Sequence, residues 1–190
     1  MNLLTLALSF KEMERIELHN RKFKRFIDAN TIQDAIDKVA VDINRDYKDK
    51  SPVFIGVLNG SFLFTADVVR RFESDCEVAF IRLASYEGTD STGKINELIG
   101  LNEDIKDRDV LILEDIVDSG NTLEYIVETL MNYQPRSLKV ATFLFKPNAY
   151  KKDIPVDYKG IEVANEFLVG YGLDFDGLGR NLEDIYIIEE

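Results

Sequence analysis

The chain has 190 residues, 45% of them hydrophobic and 11% aromatic, enough for a sizeable core in a single domain. A formal charge of −12 argues against non-specific nucleic-acid binding, so an anionic ligand needs a local site lined by amides or a few cations. The single cysteine, Cys76, excludes an internal disulfide framework and fits a reducing, cytoplasmic compartment.

In chain order, the apolar start "MNLLTLALSF" lacks a basic leader and a small-residue cleavage site, and "KEMER" follows it, so it reads as non-targeting. It is also too short to span a bilayer, and Met13 is an alternative start that would make residues 1–12 an extension. No repeat, low-complexity tract or Pro-rich linker proposes a domain boundary. The spacing of Ile32, Ala35, Ile36, Val39, Ile43 and Tyr47 predicts a helix over 32–47, with Thr31 and Asp34 as a capping box. "VFIGVL" (53–58) predicts a strand, "NGS" a tight loop, and 62–72 an amphipathic helix. "VAFIRLA" (78–84) is a further strand, and the small, polar, glycine-bearing "SYEGTDSTG" behind it predicts a mobile loop. Val110 to Leu113 forms the next strand, with Glu114 and Asp115 directly after it, and a helix is expected over 122–133. Strands over 138–145, 167–169 and 184–188 complete the series.

Strands alternating with helices, and strands apolar on both faces, predict an α/β fold with a mostly parallel twisted sheet covered on two sides. Ligands of such sheets bind at the carboxyl ends of strands, so the loops after Leu58, Ala84, Leu113 and Phe145 should converge.

The chemistry concentrates in "VLILEDIVDSGNTLEYIVETL" (110–130). Within "DSGNT", Gly120 permits a turn closed to other residues, Ser119 and Thr122 offer hydroxyls, and the next helix begins with unpaired amides. That is a cradle for a phosphate monoester. No GxxxxGK[ST] element is present. Glu114 and Asp115 beside a phosphate are unfavourable unless hydroxyls of the ligand donate to them and a hard cation such as Mg²⁺ offsets their charge. The ligand inferred is a ribose 5-phosphate bearing further phosphate and magnesium. Asp118 then remains to accept a proton from an incoming nucleophile. His19, the sole histidine, has no partner acid in view, and Cys76 reads as a small packing residue.

"VLILEDIVDSGNTL" resembles the phosphoribosyl-pyrophosphate binding motif. "GVLNGSFLF", "SYEGTDSTG", "FKPNAY", "VDYKGIEV" and "FLVGYGLDFDGLGRNL" are similar, in order, to segments of hypoxanthine-guanine phosphoribosyltransferases. The resemblance covers most of the chain from Val53 onward. It implies the type I phosphoribosyltransferase fold over 1–190, with a small hood from about 1–30 and about 150–190.

It also implies transfer of phosphoribosyl from 5-phosphoribosyl 1-pyrophosphate to N9 of a 6-oxopurine, with Mg²⁺ as cofactor. Asp118 would be the general base. Glu114 and Asp115 would hold the ribose hydroxyls and approach magnesium, and Ser119, Gly120, Asn121 and Thr122 would cradle the 5-phosphate. The loop of Asn59, Gly60 and Ser61, where relatives often have a strained peptide, would receive pyrophosphate through its amides, with Arg180 as a cation. Lysine stands at the Asn59 position in some relatives. Lys146 would donate to the 6-oxo group and so reject adenine, Tyr158 would stack on the base, and the backbone of Lys159 would address its edge. Asn165 stands where some relatives carry a magnesium-binding aspartate, and an amide is a weaker ligand. Ser85 and Tyr86 would begin a lid, residues 85–93, that excludes water. Membrane and nucleic acid are not expected as partners, and a homodimer or homotetramer is expected by analogy.

Two other classes compete. A regulator on the same fold would bind nucleotide or RNA without transfer. A phosphoacceptor receiver domain would use the "VLILED" acids, but gives "SGNT" no purpose and would place the strand much nearer its start.

Overall fold

The computed structural model describes residues 14–85 and 95–189. These form two compact units, one of the described residues to Ile32 together with Glu166 onward, the other of Gln33–Asn165. In chain order the elements are β1 (Arg15–Leu18), β2 (Arg21–Ile27), α1 (Ala29–Tyr47), β3 (Val53–Leu58), α2 (Phe62–Arg71), β4 (Glu77–Ser85) and β5 (Ile95–Ile99). There follow β6 (Asp109–Val117), α3 (Asn121–Met131), β7 (Ser137–Phe145), β8 (Tyr158–Glu162), β9 (Leu168–Val169) and β10 (Ile185–Ile188).

The larger unit holds a six-stranded sheet in the order β5-β4-β3-β6-β7-β8. All neighbours pair in parallel except β5, an antiparallel edge on β4. A parallel sheet must be covered on both faces, and the uninterrupted apolar strands meet that demand. Val53, Ile55, Ile81, Val110 and Ile112 pack with Leu123, Ile126 and Leu130 of α3. Phe64 of α2 lies 5.8 Å, ring to ring, from Phe143 of β7. The alternation of the 3.6-residue period puts Ile32, Ile36, Val39, Ile43 and Tyr47 of α1 out of solvent.

The smaller unit is an antiparallel sheet in the order β1-β2-β10-β9. Its core is Phe23, Val169 and Tyr186, with Phe175 and Leu182 packed against them.

Several boundaries differ from the sequence-based expectation. The first helix begins at Ala29, not Ile32, and its cap is Asp28: that carboxylate accepts the Thr31 amide at 2.9 Å and the Thr31 hydroxyl at 3.1 Å. The Thr31 amide holds the Asp28 carboxyl below its usual range. Strand β6 runs four residues past Leu113 because its ladder with β7 continues through Glu114–Thr142 to Val117–Phe145, so Glu114 and Asp115 lie within the strand. Strands β1, β2, β5 and β8 were not expected. "RKFKRFI" shows why, since only Phe23 and Ile27 of β2 are buried. Among the described residues no helix is long and apolar enough to cross a membrane.

Candidate active site

Three strand ends build the site within the larger unit: β3, β6 and β7. At the end of β3 the Leu58–Asn59 peptide is cis. Asn59 is exposed, whereas Ser61 is fully buried, with its amide bonded to Val57 O at 3.3 Å and its hydroxyl accepting from Thr65 Oγ1 at 3.4 Å. Ser61 therefore starts α2 and leaves the Asn59 and Gly60 amides as the part of the loop that can face a ligand.

Gly60 is required by its neighbour. A Cβ there would fall 1.5 Å from Asp115 Oδ2, so the first loop and the acid pair touch, and only hydrogen fits between them. The other Asp115 oxygen accepts the Ile116 amide at 2.9 Å. Glu114, beside it, is buried. Burial, helped by the charge of Asp115, pushes its carboxyl well above the ordinary range. The strand thus holds two adjacent oxygen-rich groups whose crowding a cation or hydroxyl donors would relieve.

Past Val117 the chain leaves the sheet. Asp118 is exposed and its Oδ2 lies 2.8 Å from Lys146 Nζ, which is itself largely buried at the end of β7. The Lys146 amide donates to Val117 O at 3.0 Å, so the two loops are joined by backbone as well as by charge. Gly120 takes φ +86°, in the left-handed region, and opens α3 with no side-chain capping bond. Asn121 and Thr122 are exposed. An uncapped, solvent-facing helix start is an anion site in waiting.

Of the residues expected at the site, Asn59, Gly60, Glu114, Asp115, Asp118, Ser119, Gly120, Asn121, Thr122 and Lys146 lie on these three strand ends and the loops that follow them. Tyr158 does not join them, which corrects its expected stacking role. It opens β8, paired with Ala141 and not with the carboxyl end of β7. Its hydroxyl donates to Asp46 Oδ2 at 2.8 Å and accepts from Lys139 Nζ at 3.1 Å, and the side chain is buried there. Lys159 sets its ammonium 4.3 Å over the Phe145 ring. Asn165 is exposed at the end of the larger unit. Arg180 belongs to the smaller unit, where Nη1 donates to Gly172 O at 2.7 Å and Nη2 pairs with Asp174 at 2.7 Å. Ser85 ends β4, and Tyr86 with the rest of the expected lid to residue 93 falls outside the described residues. Cys76 is half-buried, which raises its thiol and does not suit a nucleophile. Among the described residues no group of three or more His, Cys, Asp or Glu side chains converges.

A sequence model described as "Phosphoribosyl transferase domain" matches residues 25–176. The chain belongs to this family. It is 43% identical over 152 residues to a hypoxanthine-guanine phosphoribosyltransferase of Staphylococcus epidermidis, covering 80% of this chain and 85% of that one. It is 37% identical over 166 residues to the one from Staphylococcus aureus, covering 87% and 93%. A crystal structure of a hypoxanthine-guanine phosphoribosyltransferase from Bacillus anthracis superposes with a TM-score of 0.78 at 34% identity, covering 88% of this chain and 97% of that one. The parallel sheet with flanking helices is accordingly the type I phosphoribosyltransferase fold.

Two features of this phosphoribosyltransferase were not visible in its sequence. One is the contact of Gly60 with Asp115, 55 residues on. The other is the return of residues 149–152 onto the cradle, where the Lys151 amide donates to Ser119 O at 3.3 Å. Residue types and spacing do not carry contacts of this kind.

Proposed function

We propose that the chain is a hypoxanthine-guanine phosphoribosyltransferase of purine salvage. It transfers phosphoribosyl from 5-phosphoribosyl 1-pyrophosphate to N9 of hypoxanthine or guanine, giving inosine or guanosine monophosphate and pyrophosphate. The observation that supports this most is the meeting of Asp115 with Gly60 and of Asp118 with Lys146, beside an uncapped α3. In this reading Asp115 is a diol acceptor, Gly60 part of a diphosphate loop, Asp118 a proton acceptor and Lys146 an oxo-group donor, all at one end of the sheet.

In this reading Ser119, Gly120, Asn121 and Thr122 hold the 5-phosphate by amides and hydroxyls. Glu114 and Asp115 take the ribose hydroxyls as acceptors. The Asn59 and Gly60 amides face the pyrophosphate. Lys146 donates to the 6-oxo group, and a 6-amino group would present donor to donor. The bond from C1′ to the pyrophosphate oxygen breaks with its electron pair leaving on pyrophosphate, while N9 bonds to C1′ and the imidazole proton passes to Asp118. The charge that builds on the ribose is similar to an oxocarbenium ion, and the lid from Ser85 and Tyr86 keeps water from it.

The donor set fits Mg²⁺: two adjacent carboxyl groups, one of them buried and pushed up by burial and the charge of its neighbour, offer hard oxygen ligands. Magnesium, when bound, supplies charge neutralisation to the diphosphate. Glu114 and Asp115 would hold it with the substrate's own oxygens, and Asn165 would contribute at most through water. We place the protein in the cytoplasm, as a homodimer or homotetramer.

The test is product analysis. With Mg²⁺ and 5-phosphoribosyl 1-pyrophosphate, the purified chain should convert hypoxanthine and guanine to monophosphates and leave adenine. Binding of the nucleotides without any transfer would favour a regulatory protein on the same fold.

A further inference from the structure

The cradle Asp118–Thr122 carries no cationic side chain, and its one formal charge is negative. A phosphate monoester adds a charge of about −1.5 to −2. Lys146 is engaged by Asp118 at 2.8 Å and, in the reading above, is committed to the base. The first turn of α3 adds another acid, Glu124. The phosphate of that reading is therefore surrounded by carboxylates unless a cation arrives from another segment.

The chain after β7 brings one. Lys146 O accepts the amides of Ala149 and Tyr150, both at 3.1 Å, which turns the chain back, and the Lys151 amide then ties it to Ser119 O at 3.3 Å. A Cβ at Gly120 would meet Tyr150 Cε2 at 2.5 Å and Lys152 Cγ at 2.8 Å. The stem of Lys152 therefore lies on the glycine of the cradle. Tyr150 fixes this packing, with its ring 5.3 Å from Phe145 and its hydroxyl bonded to Ile154 O. Lys152 Nζ sits 2.7 Å from Glu124 Oε2, with only 23% of the side chain exposed, so it is not a freely solvated lysine.

We propose that Lys152 is the cation of the ribose 5-phosphate site. Glu124 holds the ammonium beside the cradle, and a bound phosphate draws it across by rotation of the terminal bonds, while Gly120 and Tyr150 keep the stem in place. This rests on the assignment of the cradle to a 5-phosphate. It also accounts for an acid in the first turn of a phosphate-binding helix, since Glu124 serves to station the lysine.

The experiment is calorimetric titration of inosine monophosphate and of inosine into the full chain and its K152Q, K152R, E124Q and E124Q/K152Q variants at fixed ionic strength. K152Q should weaken the monophosphate about tenfold and leave inosine within about twofold, which also reports an intact fold. K152R should restore binding, and the loss from K152Q should persist in the E124Q background. Unaltered monophosphate binding in K152Q, equal weakening of both ligands, or a loss that vanishes once Glu124 is replaced would each overturn the proposal. A wild-type chain that binds neither inosine nor guanosine monophosphate removes the cradle and Lys152 together, whereas normal wild-type binding with an inert K152Q removes Lys152 alone.

Discussion

The two ends of the large sheet treat acidic side chains in opposite ways. At the amino ends Glu77 pairs with Arg108 at 2.8 Å, and Asp109 accepts from Ser137 at 2.6 Å and Arg136 at 3.2 Å. Asp46 there accepts from Lys139 at 2.9 Å and Tyr158 at 2.8 Å, and these bonds hold its carboxyl down to about 2. At the carboxyl ends Glu114 is buried beside a second carboxylate and its proton affinity rises. Asp115 is pressed on a glycine, and Asp118 is exposed with one lysine partner. The first arrangement is complete as it stands; the second gains from hydroxyls, phosphate and metal. Charge left for a ligand to settle marks the functional end.

Substitutions should separate the two ends. The largest effect is expected from Gly60→Ala, since its methyl group would displace Asp115 and the loop together: kcat/KM for 5-phosphoribosyl 1-pyrophosphate should fall about 10²-fold. Next, Lys146→Met should lower kcat/KM for hypoxanthine about 20-fold without improving adenine, narrowing the discrimination measured by initial rates.

Glu114→Gln should act on stability with the opposite sign. The folded chain binds the Glu114 proton more tightly than the unfolded chain, whose value is near 4.5, so this residue costs stability increasingly as pH rises above that value. Calorimetry should show the variant melting about 2–4 °C higher than wild type at pH 7.5 and level with it near pH 4, while transfer is impaired. The smallest effect belongs to the amino end. Asp46→Asn should cost about 0.5 kcal/mol at pH 7, given the partial exposure of Lys139, and leave turnover unchanged. Because the Asp46 value is lowered from 3.8 to about 2, the cost should fade as pH falls through that interval.

The same contrast explains what the sequence disclosed. Apolar runs such as Val53–Leu58 announce parallel strands because burial on both faces leaves no place for polar residues. Asp118–Thr122 announces an anion cradle because glycine and small hydroxyls between strand and helix have few other uses. Half of the smaller sheet was illegible: β9 and β10 were expected as apolar strands, but β1 has no buried residue and β2 only Phe23 and Ile27, with charged residues between them. Tyr158 misled for a related reason: an aromatic in a matching segment states nothing about which end of its strand it occupies, and pairing with Ala141 decided that. The folding of Tyr150 and Lys152 over Gly120 depends on a turn whose only sequence trace is "KPNAYKK".

The most direct measurement is the steady-state rate of inosine monophosphate formation by Asp118→Asn and Asp109→Asn, assayed side by side with their melting temperatures. Turnover should fall about 10²-fold in Asp118→Asn with little change in melting, whereas Asp109→Asn should melt lower and turn over like wild type. Equal rates in the two variants, or a full rate without the Asp118 carboxylate, would contradict the assignment of chemistry to the carboxyl ends of the sheet.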